Sequence, residues 1–329
     1  MAETGHISVL AAEVLAGLAP KPGGTYVDAT FGAGGHCRAL LDALDGSGRV
    51  LALDRDPDAI IRGEALQKVY PDQLTILHAP FADLGQALTS WGVERVDGIL
   101  FDLGVSSFQL DQPGRGFSFR FDGPLDMRMD HSRQSGCQTA ADLVNTLNDR
   151  ELADLFFRFG EESRSRKIAR AITMDRKKTP FTTTAQLAQL AERVIPNRKR
   201  GIHPATKIFQ ALRIAVNGEL DQLQQGLEAA MTALAVGGVL VVISFHSLED
   251  RIVKQSFRMA STQPRVTGPA ALLPQTQAAP LPFRQLTRKP IIPTQAEQAR
   301  NSRSRSAKMR IIQRVAPADQ STVAGGGVL

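Results

Sequence analysis

Cysteine is nearly absent from this chain: Cys37 and Cys137 are the only two in 329 residues. Neither lies in a CxxC pair or a metal-ligand spacing, so no disulfide framework and no metal site is implied. A reducing cytosol is the expected compartment, with both thiols as inert packing residues. Long apolar runs are missing as well. The longest, Val239–Phe245, is far too short to span a bilayer, and no membrane partner is expected. No basic segment followed by an apolar stretch opens the chain, which argues against a secretory leader. No Gly-x-Ser-x-Gly elbow presents Ser244 or Ser247 as a hydrolase nucleophile, and there is no internal repeat.

Acidic and basic residues are unevenly spread along the chain. Residues 1–110 hold seven Lys/Arg against fourteen Asp/Glu, whereas residues 164–213 hold thirteen Lys/Arg against Asp175 and Glu192 alone. The net charge of +6 hides this asymmetry. An acidic half beside a basic segment points to a polyanionic partner, a nucleic acid, that touches one region. A solvated helix face is the plainer alternative.

Short Val/Ile/Leu-rich runs at Thr25–Ala29, Arg49–Leu53, Leu74–His78 and Gly98–Phe101 alternate with helical patterns at Gly35–Leu44, Pro57–Val69 and Asp83–Trp91. Such alternation predicts βαβ units and a mostly parallel sheet in an α/β fold. A leading helix is expected over Ser8–Leu18, capped by Ser8. From Leu103 to about Asn217 no buried strand is legible. Helices are expected instead at Thr139–Leu143, Asp149–Arg158, Ser163–Met174, Thr184–Val194 and Pro204–Asn217. Gly218–Leu234 reads as another helix, and Gly237–Phe245 returns to a buried strand. The expected organisation is a first α/β part over 1–110, an inserted helical domain over 111–217, and a second α/β part over 218–315. An irregular surface loop at 258–300, a last edge or antiparallel strand at Ala307–Val315 and a frayed tail at 316–329 complete it.

Chemistry concentrates in the first βα turn. Val27-Asp-Ala-Thr-Phe-Gly-Ala-Gly-Gly-His36 runs from a strand through glycines into a helix, and Asp54 ends the next strand twenty residues after Gly34. An acid before the turn, Asp28, would repel a pyrophosphate but suits a cofactor carrying an ammonium and a sulfonium. Asp28-x-x-x-Gly32-x-Gly34 resembles the first motif of class I methyltransferases, with Thr30 where a glycine commonly stands. His36 lines a cofactor or is a solvated surface histidine. Phe81 flanks an adenine or is core, the core reading being the plainer. Asp102 ends the fourth strand, where this fold binds ligands.

Several longer motifs then align with one family: Thr30–His36, Asp54-Arg-Asp-Pro57, Phe101-Asp-Leu-Gly-Val-Ser-Ser107, Gly123-Pro-Leu-Asp-Met-Arg-Met129, His203-Pro-Ala-Thr-Lys-Ile-Phe-Gln-Ala-Leu-Arg213 and Ile243-Ser-Phe-His-Ser-Leu-Glu-Asp-Arg251. From about His6 to Arg314 the chain closely resembles the RsmH (MraW) family. The resemblance implies an S-adenosylmethionine-dependent methyltransferase acting on the N4 amine of a cytidine in the decoding region of 16S rRNA in the small ribosomal subunit. It also implies a class I, Rossmann-like fold with a helical insert serving substrate recognition. Carried over by position, it puts Gly34, Gly35, His36, Asp54, Phe81, Asp102 and Gln109 at the cofactor.

N-methylation needs no covalent intermediate, and neither cysteine stands in a motif suited to attack on cytosine C5. Asp102-Leu-Gly-Val occupies the place of the Asp/Asn-Pro-Pro-aromatic motif of many amine methyltransferases, without its prolines or aromatic. Asp102 therefore has two candidate roles, orienting the amine catalytically or holding the cofactor. Phosphate contacts are expected from Arg198, Lys199, Arg200 and Lys207. His203, Arg213, Asn217 and His246 are further substrate candidates, with a structural role for His246 as the alternative. Phe117, Phe119 and Phe121 alternate, as stacking residues or as a small packed cluster. Another RNA substrate, a non-catalytic RNA-binding assembly factor and a nicotinamide-dependent oxidoreductase are the alternatives. The sequence leaves oligomeric state open, a homodimer included.

Overall fold

Strands form where apolar, β-branched residues alternate between two buried faces. The computed structural model, which describes residues 8–132, 137–195, 203–263 and 281–315, has seven strands there, of which all but the short β6 follow this rule at least in part: β1 (Thr25–Asp28), β2 (Arg49–Asp54), β3 (Leu74–His78), β4 (Val96–Asp102), β5 (Leu234–Ser244), β6 (Phe283–Gln285) and β7 (Lys308–Arg314). Their order in the sheet is β3-β2-β1-β4-β5-β7-β6. The first five pair in parallel, while β7 runs antiparallel to β5 and to β6. Strand order reverses between β1 and β4, so the crevice at their carboxyl ends is the topological switch point.

The period of two is visible in the core. Tyr26, Val50, Ala52, Leu100, Val241 and Ile243 pack on one face of the sheet. Val27, Leu51, Leu53, Ile99, Phe101, Leu240 and Val242 pack on the other. The first face is covered by α1 (Ala11–Leu18), α2 (Gly35–Leu44) and α3 (Pro57–Gln67). Residues of α4 (Leu84–Ser90), α11 (Glu219–Ala233) and α12 (Ser247–Ser261) cover the second. Each fully buried Leu or Val adds about 1.5–3 kcal/mol.

The chain divides into two compact units. The sheet unit takes in the described parts of residues 1–54, 59–104 and 223–329, and the other holds 55–58 and 105–222. The second is helical: α5 (Ser107–Asp111), α6 (Ala140–Thr146), α7 (Asp149–Gly160), α8 (Ser165–Asp175), α9 (Thr184–Val194) and α10 (Thr206–Asn217). Its core includes Phe156, Ile168, Ile172, Leu187, Ile208 and Leu212 from the inner faces of the helices, with Ile168/Ile172 and Ile208/Leu212 four apart, and Leu125 and Met127 from the segment before α6. Reciprocal capping boxes start four of the helices, at Ser106/Gln109, Thr139/Asp142, Asn148/Glu151 and Thr183/Gln186. At the α7–α10 crossing, a Cβ on Gly160 would stand 2.5 Å from the Lys207 carbonyl oxygen, so only glycine allows this approach.

Four expectations need correction. The leading helix starts at Ala11, not Ser8. Leu10 stands before it with φ 54° and no side-chain cap, and the Leu10 amide donates to Glu297 Oε1 at 2.8 Å. The distant acid replaces the local cap. Residues 258–300 are not one irregular loop: α12 continues to Ser261, β6 pairs with β7, and α13 (Gln295–Arg300) follows. β6 is joined by backbone hydrogen bonds and α13 buries none of its residues, so neither needs apolar periodicity. The last strand is antiparallel as expected but interior, with β6 outside it. Cys37 is buried whereas Cys137 is exposed, so only the first is a packing residue. Residues 264–280 and the expected tail, 316–329, lie outside the described residues.

Candidate cofactor and substrate sites

The glycine turn is held from three sides. Beyond β1, the Ala29 amide donates to Leu100 O of β4 and the Phe31 amide to Leu53 O of β2, each at 2.9 Å. The Gly32 amide donates to Asp54 Oδ2 at 2.7 Å, and Arg62 Nε donates to Gly32 O at 3.2 Å. Asp54 thus braces the turn itself. Gly34 takes φ 79° at the N-cap of α2, and a Cβ there would fall 2.6 Å from the Phe31 ring. Thr30 does what a glycine could not: its Oγ1 accepts the Asp102 amide at 2.7 Å, tying the end of β4 to the turn.

Three ionisable groups gather at the switch point. Asp28 is 1% exposed; its Oδ1 accepts the Thr30 amide at 3.1 Å and its Oδ2 has no hydrogen-bond partner. Burial pushes the Asp28 carboxyl up to about 6, against the pull of His36 and the Thr30 amide, with Asp102 and Asp54 adding to the rise. His36 is buried, which corrects the surface reading. Its Nε2 stands 3.4 Å from Asp102 Oδ2 without hydrogen-bond alignment. Burial favours the neutral imidazole, but the Asp102 and Asp28 carboxylates together outweigh it and hold His36 above its ordinary value. Asp102 Oδ1 is likewise buried without a partner. Phe81 opens a short 3-10 turn after β3. Its half-buried ring packs 5.3 Å from that of Phe101, and a Cβ on Gly226 would reach 2.8 Å from it.

Gln109 belongs to the helical unit. It is the capping-box residue of α5, and its Nε2 donates to Asp56 Oδ2 at 2.7 Å. Arg115 Nη1 bonds both Asp56 and Asp58 at 3.0 Å, and His131 approaches each of them within 3.8 Å. The guanidinium supplies there the counter-charge a metal ion would. Sequence reasoning missed Arg115 and the buried Asp56; the run Asp54-Arg-Asp-Pro57 holds Asp56, whereas none of the aligned motifs includes Arg115.

The basic segment divides in two. Arg198, Lys199 and Arg200 lie outside the described residues. His203 stacks on Phe119 with ring centroids 4.4 Å apart and pairs through Nε2 with Glu192 at 2.8 Å. Lys207 Nζ donates to Glu161 O at 2.6 Å. Arg213 forks onto Glu219 at 2.8 and 2.7 Å. Asn217 is buried; its Oδ1 accepts the Met129 amide and its Nδ2 donates to Met127 O, each at 2.8 Å. His246 is the N-cap of α12, its Nδ1 accepting the Glu249 amide while Glu249 Oε2 accepts the His246 amide. Of the alternating phenylalanines, Phe117 is buried under Arg115, Phe119 packs on His203 and Phe209, and Phe121 is 61% exposed. They form no single cluster. Among the described residues no helix is long and apolar enough to cross a membrane.

Comparison with known proteins adds the lineage. The profile of the MraW methylase family matches residues 3–315. A protein of Beijerinckia indica named ribosomal RNA small subunit methyltransferase H is 51% identical, covering 95% of this chain and 86% of its own length. Proteins of the same name from Bradyrhizobium diazoefficiens and Thermomicrobium roseum are each 50% identical. The first covers 98% of this chain and 96% of itself, the second 95% and 94%.

Proposed function

The chain belongs to the MraW methylase family, and from that premise we propose that it methylates the exocyclic N4 amine of a cytidine in small-subunit ribosomal RNA, in the cytoplasm. It is a methyltransferase, and S-adenosylmethionine is its cofactor. The residues present fit that group. A cofactor with an ammonium and a sulfonium needs carboxylates, and the switch point offers Asp28 and Asp102, each with a buried oxygen lacking a hydrogen bond. That is the observation that carries the reading. A dinucleotide's pyrophosphate would meet the same carboxylates unfavourably.

In this reading Gly34 and Gly35 let the cofactor approach the backbone, Asp54 receives its ribose hydroxyls, Phe81 flanks its adenine, and His36 and Asp102 face its methionine end. Gln109 is assigned to the cofactor by the family resemblance. When bound, S-adenosylmethionine supplies an electrophilic methyl on a sulfonium. The cytosine N4 lone pair is delocalised into the ring, so the protein must align it with the S–CH3 bond and accept a hydrogen bond from the amine as nitrogen pyramidalises. Asp102 at the end of β4 is proposed as that acceptor. Arg198, Lys199, Arg200, His203 and Lys207 are proposed to meet the RNA, with an extruded or single-stranded cytidine as target. Arg213, Asn217 and His246 act through the backbone and carboxylates they hold. The helical unit is thereby the substrate-recognition part.

Naked rRNA and assembled small subunits incubated with labelled methyl donor, followed by nucleoside analysis, test the substrate. Label on N4-methylcytidine is expected, and label on any other nucleoside would refute the assignment. Asp102→Ala at saturating cofactor tests the acceptor: kcat falls about 100-fold or more if Asp102 orients the amine, whereas a normal maximal rate would leave it a cofactor ligand only.

A further inference from the structure

The Asp28–His36–Asp102 cluster holds more unmatched charge than a binding turn requires. Asp28 closes β1, Asp102 closes β4 and His36 lies in the first turn of α2, the elements that flank the strand-order reversal. Each contributes a buried polar atom with no hydrogen bond: Asp28 Oδ2, His36 Nε2 and Asp102 Oδ1. The charged groups facing Asp28 are His36 from α2, Asp102 from β4 and Asp54 from β2; those facing His36 are Asp28 and Asp102. Cys37, also on α2, is buried beside Asp28 and its thiol is pushed well up, so it stays neutral. The cluster therefore carries charge −1 with one extra proton and −2 without it.

We propose that Asp28, His36 and Asp102 share one exchangeable proton whose occupancy follows the charge on the cofactor's sulfur. The proton leaves when the sulfonium form binds and is replaced by the amine proton when methyl transfer leaves a neutral thioether. The inference rests on the reading of this turn as the cofactor site. Charge balance is its physical reason. With its ammonium, sulfonium and carboxylate S-adenosylmethionine is net +1, whereas the thioether, lacking the sulfonium, is net 0; the bound sulfonium therefore opposes one proton on the cluster that the thioether tolerates. Beside the buried Asp28 and His36 a mismatch of one charge is costly.

The chemical step balances in the same way. The N4 lone pair forms the N–CH3 bond, and the S–CH3 bond breaks with its electron pair left on sulfur. The amine proton passes to Asp102 Oδ1, and Asp102 shares it with His36, whose Nε2 lies 3.4 Å from its other oxygen. No outside base is required, and the site returns to its starting protonation when the thioether product leaves.

The test is calorimetric and needs no RNA. The full-length protein is titrated with S-adenosylmethionine and with S-adenosylhomocysteine in buffers of different ionisation enthalpy, from about pH 5.5 to 8. The sulfonium ligand is expected to release about one proton more than the thioether, its affinity gaining up to about tenfold per pH unit relative to the thioether within the titrating range. Asp28→Asn and His36→Gln should shrink that difference. If a variant fails to fold, the wild-type His36 ring resonances serve instead, titrating at lower pH with the sulfonium ligand than with the thioether. Equal proton release by the two ligands in the wild type would overturn the proposal. The underlying reading fails separately: Asp54→Ala leaving both affinities unchanged would place the cofactor elsewhere.

Discussion

Asp28→Asn ought to make the ligand-free protein more stable at neutral pH, although it removes a charged residue from the centre of the site. The wild-type carboxyl is 1% exposed, and only one of its oxygens accepts a hydrogen bond, from the Thr30 amide at 3.1 Å. Its rise from 3.8 to about 6 means that the folded state holds the neutral form more tightly than the unfolded chain does. Stability from this group is thus full below pH 3.8 and is lost as pH climbs through about 6. The loss is about 3 kcal/mol above that range, taking 1.36 kcal/mol for each pH unit of the rise. Asparagine keeps the oxygen that receives the Thr30 amide and carries no charge to desolvate. Urea melts of the two ligand-free proteins, followed by circular dichroism, should nearly coincide at about pH 4 and diverge by up to about 3 kcal/mol at pH 8 in favour of the variant. The variant should then gain less than the wild type from added S-adenosylmethionine, since the carboxylate that suits a cation is gone. A variant no more stable at pH 8, or a stability difference independent of pH, would refute the electrostatic reasoning.

Other consequences follow from single contacts. Thr30→Val removes the hydroxyl that accepts the Asp102 amide at 2.7 Å; a loss of about 1–3 kcal/mol in urea stability and weaker cofactor binding by calorimetry are expected, and unchanged values would show that the tie is dispensable. Gly160→Ala sets a methyl 2.5 Å from the Lys207 carbonyl oxygen; despite alanine's helix preference it should destabilise by about 1–3 kcal/mol, measured by differential scanning calorimetry. Neutralising Arg198, Lys199 and Arg200 together should weaken RNA binding and lower the slope of log K against log salt by roughly 2–3; an unchanged slope in a filter-binding series would remove them from the phosphate contacts.

The alternation of apolar strands with helical stretches specified the parallel part of the sheet, because a strand buried on both faces must be apolar along its length. Asp28, Gly34 and Asp54 stood out for a similar reason: a βα turn that admits a ligand is short and local, so its residues are neighbours in the chain. Capping boxes at Thr139, Asn148 and Thr183 were local in the same sense, each written within four residues.

What escaped the sequence depended on partners far along the chain. The start of α1 is decided by Glu297, 287 positions from Leu10, and no periodicity near Leu10 could announce it. Arg213 and Asn217 look like substrate residues on a basic helix, yet one forks onto Glu219 and the other holds the backbone at Met127 and Met129. A polar side chain reads the same in sequence whether it meets solvent, ligand or a buried carbonyl. The shared environment of Asp28, His36 and Asp102 also arises only on folding. Burial and converging charges set the protonation of Asp28 and His36, and those are properties of a crevice that exists only once β1, β2 and β4 lie side by side.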